Sequence, residues 1–366
     1  MKSILILTNS SIGLVRFRKE LITALGQSAK VVVSSPNDGF GKEIQSLGAT
    51  FIETNYDRRG SNPLFDFILC CRYCFIIRKI EPSVILTYTH KPNIYGNFAA
   101  RLFNRPVITT VTGTGDTFLR GGMIGSIVKV LYRFALKSAS CVVFQNNEDE
   151  EILRRLNVVK GQNTVHVPGS GVNISEHVPL EYPADGAVSF LFIGRLMRSK
   201  GIGELIAATR RLKAELPDAF SVTLMGASEG DMDDMIEKAK NDRIVTTVGF
   251  QKDVVPFIKS AHCIVIPSYK EGMCNGLLEA AANARPLITT DVTGCREIVE
   301  DGVGGFICQP KDSDSLYECM KRFVNLPQEE KIRLGREARK KIEKEFDRNI
   351  VVEAMVKEIN IRTDGS

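Results

Sequence analysis

With 366 residues, 43% hydrophobic and 25% charged, the chain has the make-up of a soluble globular protein and is too long for one ordinary core, so two domains are expected. A net charge of +5 suits an acidic ligand or an anionic membrane surface and is too small to argue for a nucleic-acid partner. Nine cysteines without paired spacing speak against a zinc or disulfide framework, and no apolar run reaches the ~18 residues of a spanning helix.

The chain opens with a strand pattern, SILIL (Ser3 to Leu7), then the loop TNSSIG and a helix from about Val15 to Leu25. Met1 to Leu25 carry no leader signature, so the thiols are expected to be reduced, cytosolic and mostly small core residues. Short β-branched runs follow: KVVVSS (Lys30 to Ser35), ATFIETN (Ala49 to Asn55), SVILTYT (Ser83 to Thr89), PVITTVT (Pro106 to Thr112) and SCVVFQN (Ser140 to Asn146). Helical patterns alternate with them, and near-continuous Val/Ile runs belong to strands covered on both faces. That is the pattern of a doubly wound α/β domain.

A second series begins at VSFLFIG (Val188 to Gly194) and continues through FSVTLMG (Phe220 to Gly226), RIVTTVG (Arg243 to Gly249), CIVIPS (Cys263 to Ser268), PLITT (Pro286 to Thr290) and GGFICQ (Gly304 to Gln309). Pro and Gly in HVPGSGVN (His166 to Asn173) break both patterns and mark the seam. The expected division is 1–168 and 169–346, with a C-terminal helix over 347–362 returning to the first domain. Ligands of open parallel sheets lie beyond the carboxyl ends of the strands, so the two Rossmann-like domains are expected to face a cleft.

FIGRLMRSKGIGELI sets Arg195 and Lys200 just after a strand, on a glycine-bounded loop before a helix. Two cations there suit a diphosphate, Arg by its fork and Lys as a point charge; taken alone they also read as solvated surface residues. EGMCNGLLEAAANARP adds Glu271 and, eight residues later, Glu279. A helix starting near Asn275 or Gly276 offers free N–H groups to an anion, and Gly272 and Gly276 let backbone approach a ligand. Glu279, in the expected first turn, reads either as a favourable helix-end carboxylate or as acceptor for the two hydroxyls of a ribose. Glu271, on the loop, suits sugar hydroxyls and is poorly placed as a glycosidase carboxylate.

Arg195, Lys200, Glu271-x7-Glu279 and TGCREIVEDGVGGF (Thr293 to Phe306) together resemble the retaining glycosyltransferases of family 4, which have the GT-B fold. NSSIGLVRFRKEL, TYTHKPNIYG (Thr87 to Gly96) and VTGTGDTF (Val111 to Phe118) are similar to enzymes of bacterial surface-glycan assembly, including N-acetylgalactosaminyltransferases acting on undecaprenyl-diphosphate-linked bacillosamine. The resemblance implies a UDP-sugar donor such as UDP-GalNAc, a polyprenyl-diphosphate-linked sugar acceptor, and neither metal nor other cofactor. It implies that Arg195 and Lys200 neutralise the donor diphosphate, that Glu271 holds the donor sugar and that Glu279 binds the ribose. The backbone of Gly272, Met273, Cys274, Asn275, Gly276 and Leu277 lines the donor, Gly13 approaches the diphosphate, and Phe250 borders the base. Family members commonly carry a histidine where this chain has Thr112. The acceptor or reacting-sugar side therefore falls to His90, Lys91, Asn93, Thr112 and Gly113, and His90 also reads as a structural hydrogen-bonder. DMDD (Asp231 to Asp234) reads as a solvated helix start, not a metal site.

IVKVLYRFALK (Ile127 to Lys137) puts Ile127, Val130, Leu131, Phe134 and Ala135 on one face and Lys129, Arg133 and Lys137 in a stripe. It reads either as a core-packing helix with a solvated flank or as a contact with the cytoplasmic leaflet beside a lipid-linked acceptor. FDFILCCRYCFIIRK (Phe65 to Lys79) is a second candidate for that leaflet contact and reads more readily as buried. The implied place is the cytoplasm, peripheral at the inner face of the cell membrane. No strand leads into G-x-G-x-x-G, which disfavours a nicotinamide dehydrogenase. A sugar-nucleotide epimerase or hydrolase of the same architecture, or a non-catalytic scaffold, stand as alternatives; the intact Arg195, Lys200, Glu271 and Glu279 argue against the scaffold.

Overall fold

The computed structural model describes residues 2–57, 60, 62–114 and 123–363, so residues 115–118 of the VTGTGDTF motif lie outside it. The chain forms two compact units, one of Met1–Gly171 with Arg348–Ser366 and one of Val172–Asp347.

In the first unit β1 (Ser3–Leu7), β2 (Lys30–Ser35), β3 (Thr50–Glu53), β4 (Val84–Tyr88), β5 (Val107–Val111), β6 (Cys141–Phe144) and β7 (Thr164–His166) lie in the order β3-β2-β1-β4-β5-β6-β7. Every pairing is parallel. The connecting helices are α1 (Ser11–Phe17), α2 (Lys19–Gly26), α3 (Gly41–Ser46), α4 (Pro63–Ile80), α5 (Asn97–Leu102, entered by a π-turn over Pro92–Gly96), α6 (Met123–Leu136) and α7 (Asn147–Arg155). Period-two alternation divides β1 between two layers: Ile4 and Ile6 pack under α2 and α3, Leu5 and Leu7 under α4 and α5. All five residues of β4 and of β5 are buried, as strands sandwiched between helices must be.

Two local expectations fail here. The single helix expected over Val15 to Leu25 is two, because Arg18 sits at φ −141° between Phe17 and Lys19. Ser10 caps the first of them by accepting the Gly13 N–H at 3.2 Å, which makes Gly13 the third residue of a helix and not part of a loop.

The second unit holds β8 (Val188–Ile193), β9 (Phe220–Met225), β10 (Thr246–Gly249), β11 (Cys263–Ile266), β12 (Leu287–Thr290) and β13 (Gly305–Cys308) in the order β10-β9-β8-β11-β12-β13, again parallel throughout. Helices α8 (Ile202–Glu215), α9 (Asp233–Asn241), α10 (Val255–Ser260), α11 (Asn275–Ala282), α12 (Ser313–Val324) and α13 (Gln328–Glu345) cover it. The last helix, α14 (Arg348–Thr363), belongs to the first unit, where Val351, Met355 and Ile359 join Leu21 and Leu25 in the core. Arg348 fixes its start by donating to both carboxylate oxygens of Glu20 at 3.0 and 2.9 Å and to the Gly171 carbonyl at 3.2 Å.

Strand order reverses at β1/β4 in one sheet and at β8/β11 in the other. At such points the loops leave in opposite directions and open a crevice beyond the strand ends. Arg195 and Lys200 follow β8, and Glu271 follows β11.

Candidate active site

Close backbone packing brings these loops together. Lys200 ends a 3-10 turn, Arg198–Lys200, and Gly201 at φ 73° swings the chain into α8. A Cβ on Gly201 would stand 2.0 Å from the Pro267 carbonyl oxygen, so only glycine lets the Lys200 loop seat against the exit of β11. The loop after β12 clasps the same exit from the other side. Glu271 donates its N–H to the Thr293 carbonyl at 3.2 Å, and Cys274 donates to that of Gly294 at 2.8 Å. Gly294, at φ 82°, leaves no room for a side chain, since its Cβ would fall 2.7 Å from Glu271 Cβ.

Lys200 Nζ donates to Glu271 Oε1, and the fully buried Ser268 donates its Oγ–H to the same oxygen at 2.7 Å. Both hydrogen bonds fall on Oε1 and neither on Oε2. The Lys200 and Glu271 side chains are only 17% and 12% exposed. Burial alone would depress the Lys200 pKa, but the neighbouring carboxylate outweighs it and holds the ammonium above its ordinary value. Arg195 is close enough that its charge pushes against that of Lys200. Its guanidinium pairs with Glu229 at 3.2 Å while 55% exposed, a contact worth about 0–1 kcal/mol.

Helix α11 begins at Asn275, and no side chain caps it; the first N–H groups of a helix have no acceptor within it. Gly276 serves packing, since a Cβ there would meet Ile266 Cδ1 at 3.0 Å and the Ile193 carbonyl oxygen at 3.1 Å. The missing side chain seats the helix start against the ends of β8 and β11. Met273, Cys274 and Leu277 are buried in the core, so only their backbone can face a ligand. Glu279 is half-buried and is the fifth residue of α11, one turn further along than the expected first-turn position. Phe250 follows β10 with 52% of its surface exposed. Asp231 is engaged, accepting the Arg198 N–H at 3.0 Å.

In the first unit His90 lies just beyond β4, at that sheet's own reversal point. Thr89 before it adopts φ 73°, a strained conformation for a β-branched residue and a mark of functional sites. His90 Nδ1 is 3.2 Å from the Tyr132 hydroxyl, and burial lowers its pKa, with Asp149 opposing. Asn93 is buried and donates to the Thr110 carbonyl at 2.9 Å and to Tyr132 Oη at 3.2 Å, which braces the core. Lys91 is likewise committed, to Asp66 at 2.7 Å and to the Asp57 carbonyl at 2.8 Å. Thr112 is exposed, Gly113 has φ 129°, and Thr114 is held by the buried Asp149. Sequence reasoning missed Ser268, Tyr132 and Asp149. Only Ser268, three residues before Glu271, carried a legible signal.

Helix α6 turns differently from the apolar face expected of it. Tyr132, Ala135 and Leu136 point inward, drawn by the Tyr132 hydrogen bonds, while Ile127, Val130 and Phe134 are exposed. Arg133 donates to the Leu156 carbonyl at 2.9 Å, and Lys137 lies 5.1 Å over the Phe134 ring. Cys71 is exposed, contrary to a core role. Among the described residues no helix is long and apolar enough to cross a membrane, and no group of three His, Cys, Asp or Glu side chains could hold a metal ion.

Residues 187–325 match the model described as glycosyl transferases group 1, and residues 3–146 the one described as glycosyl transferase 4-like. The chain is a family 4 glycosyltransferase. This glycosyltransferase is 24% identical over 350 residues, 90% of each chain, to N,N'-diacetylbacillosaminyl-diphospho-undecaprenol alpha-1,3-N-acetylgalactosaminyltransferase of Campylobacter jejuni. It is 25% identical over 267 residues, 68% of each chain, to UDP-Gal:alpha-D-GlcNAc-diphosphoundecaprenol alpha-1,3-galactosyltransferase of Escherichia coli. Its GT-B fold is shared with sucrose-phosphate synthase of Thermosynechococcus elongatus (TM-score 0.84, 20% identity, 100% of both chains). Anabaena HepE in complex with UDP matches with a TM-score of 0.79 and 17% identity over 98% of this chain and 100% of that one.

Proposed function

We propose that this glycosyltransferase moves an N-acetylhexosamine or hexose, with retention, from a UDP-sugar to a polyprenyl-diphosphate-linked saccharide at the inner face of the cytoplasmic membrane. The observation that carries the reading is the Lys200–Glu271 pair at the β8/β11 reversal point, beside the uncapped start of α11. A nucleotide sugar needs such a place: fixed positive charge for the diphosphate and a carboxylate oxygen for sugar hydroxyls. Lys200, Arg195 and the α11 amides take the charge that develops as the C1–O bond to the diphosphate breaks. Glu271 Oε2 holds the sugar, Glu279 the ribose, and Phe250 borders the base. The acceptor oxygen bonds C1 from the face the diphosphate leaves, and its proton passes to the departing phosphate oxygen. That step needs no metal and no side-chain base. The two relatives named above, whose names specify undecaprenyl-diphosphate-linked substrates, support the acceptor class. Incubation with a panel of UDP-sugars, with and without lipid extract, tests it. One sugar should give UDP release that depends on lipid. Epimerised or hydrolysed sugar nucleotide without any acceptor would overturn it.

A further inference from the structure

Helix α4 reads in the sequence more readily as buried than as a leaflet contact, and the structure buries only one side of it. Leu69, Tyr73, Ile76 and Ile77 face the core. Leu64, Phe65, Phe67 and Phe75 are 57–68% exposed, with Ile68 and Cys71 exposed beside them. Leu64, Ile68, Cys71 and Phe75 recur at spacings of three and four, which puts them on one side of the helix. Next to α4, α5 exposes Leu102, and α6 exposes Ile127, Val130 and Phe134. The helical layer on the opposite face of the same sheet exposes only Ile350 and Ile361 among its described large apolar side chains. Single exposed apolar residues are ordinary; a layer of them marks a surface that something covers.

Charge says what covers it. Arg72, Arg78 and Lys79 are exposed on α4, while its one acid, Asp66, is ion-paired with Lys91. Arg101 on α5 and Lys137, just past the end of α6, add exposed cations to the same layer. A second copy of the chain seated there would oppose like charges, whereas an anionic lipid surface meets both the cations and the aromatics. We propose that the outer face of α4 is the surface on which this protein docks to an anionic lipid leaflet, its phenylalanines entering the headgroup–acyl boundary. The proposal rests on the lipid-linked acceptor reading above, but its test needs neither donor nor acceptor, so the two can fail separately.

The test uses the full chain with vesicles of phosphatidylcholine, alone or mixed with phosphatidylglycerol. The wild type should sediment with the anionic vesicles. Phe67→Ser with Phe75→Ser, and separately Arg78→Gln with Lys79→Gln, should each lower the partition at least ~10-fold without changing the melting temperature. The chain has no tryptophan, so Phe67→Trp supplies a lone indole. It should be quenched by lipids brominated on the acyl chain, and Ile361→Trp on the opposite layer should not. Unchanged partition in both double variants, or no quenching at position 67 in sedimenting protein, would overturn the proposal. So would a dimer that the two serine substitutions split into monomers without altering the partition, because α4 would then be a subunit interface.

Discussion

Lys200→Met, Glu271→Gln and the double variant form a cycle that separates what the buried pair does for the fold from what it does for the reaction. Removing one partner of a pair this buried leaves the other charge uncompensated. The cost is about 3 kcal/mol, the low end of the usual range because both side chains keep some contact with solvent. For a unit of this size each kcal/mol moves the melting temperature roughly 2–4 °C, so each single variant should melt about 6–12 °C lower. The double variant removes both charges and should lose much less than the sum, with a coupling of about 2 kcal/mol. Turnover should behave in the opposite way. Loss of one charge partner at the leaving diphosphate is worth about 3 kcal/mol of barrier, so Lys200→Met should fall at least ~100-fold, and the double variant should recover stability without recovering rate. Thermal melts and UDP release read the two quantities on the same preparations. Additive stability losses would show that the pair is not coupled. Turnover of Lys200→Met within a few-fold of wild type would show that Lys200 does not face the leaving group.

Ser268→Ala should cost roughly 10-fold in kcat/KM and lower the melting temperature by a few degrees, because it removes one buried hydrogen bond to a charged carboxylate while the Lys200 contact stays; initial rates against donor concentration and a thermal melt check it. Gly201→Ala should destabilise by roughly 2–4 kcal/mol in chemical denaturation, from a methyl group placed against the Pro267 carbonyl in a left-handed conformation. Activity should survive EDTA, because Arg195 and Lys200 supply the cations; loss on chelation that magnesium or manganese restores would refute this. His90 has a pKa lowered by burial, so in mild acid the unfolded chain takes up a proton that the folded one refuses. Stability should therefore fall as pH drops below the ordinary histidine value of 6.5, and His90→Asn should flatten that slope in melts across pH.

The fold was legible because its strands are runs of Val and Ile covered on both faces, a pattern few other arrangements require. The runs also put Arg195, Lys200 and Glu271 at strand ends, whereas the strand order, and with it the reversal at β8/β11, came only with the structure. What failed was local. Arg18 breaks a helix that its neighbours would continue, and no residue preference announces it. Helix α4 leaned towards burial because hydrophobicity signals burial only for a side chain that has a partner to pack against; its pattern does not distinguish core from an outward apolar face. Lys91 and Asn93 show what spacing leaves out: polar residues beside a motif also take internal partners, here Asp66 and the Asp57 carbonyl for one and the Thr110 carbonyl and Tyr132 for the other.

The placement of the glycines shows how the charged pair is made to work. A lysine in a mostly buried pocket would tend to give up its proton, and Glu271 prevents that before any donor arrives. On the donor reading proposed above, charge already in place needs no rearrangement when the diphosphate leaves, and this is how a fixed cation lowers a barrier. Fixing it requires the loops after β8, β11 and β12 to pack backbone against backbone, and each approach occurs where a side chain is missing: Gly201 on Pro267, Gly276 on Ile193, Gly294 on Glu271. None of these glycines carries charge, yet one methyl group at any of them would move Lys200 or Glu271 relative to the other. The tolerance of the site to substitution should therefore be lowest at three residues that contribute no catalytic group of their own.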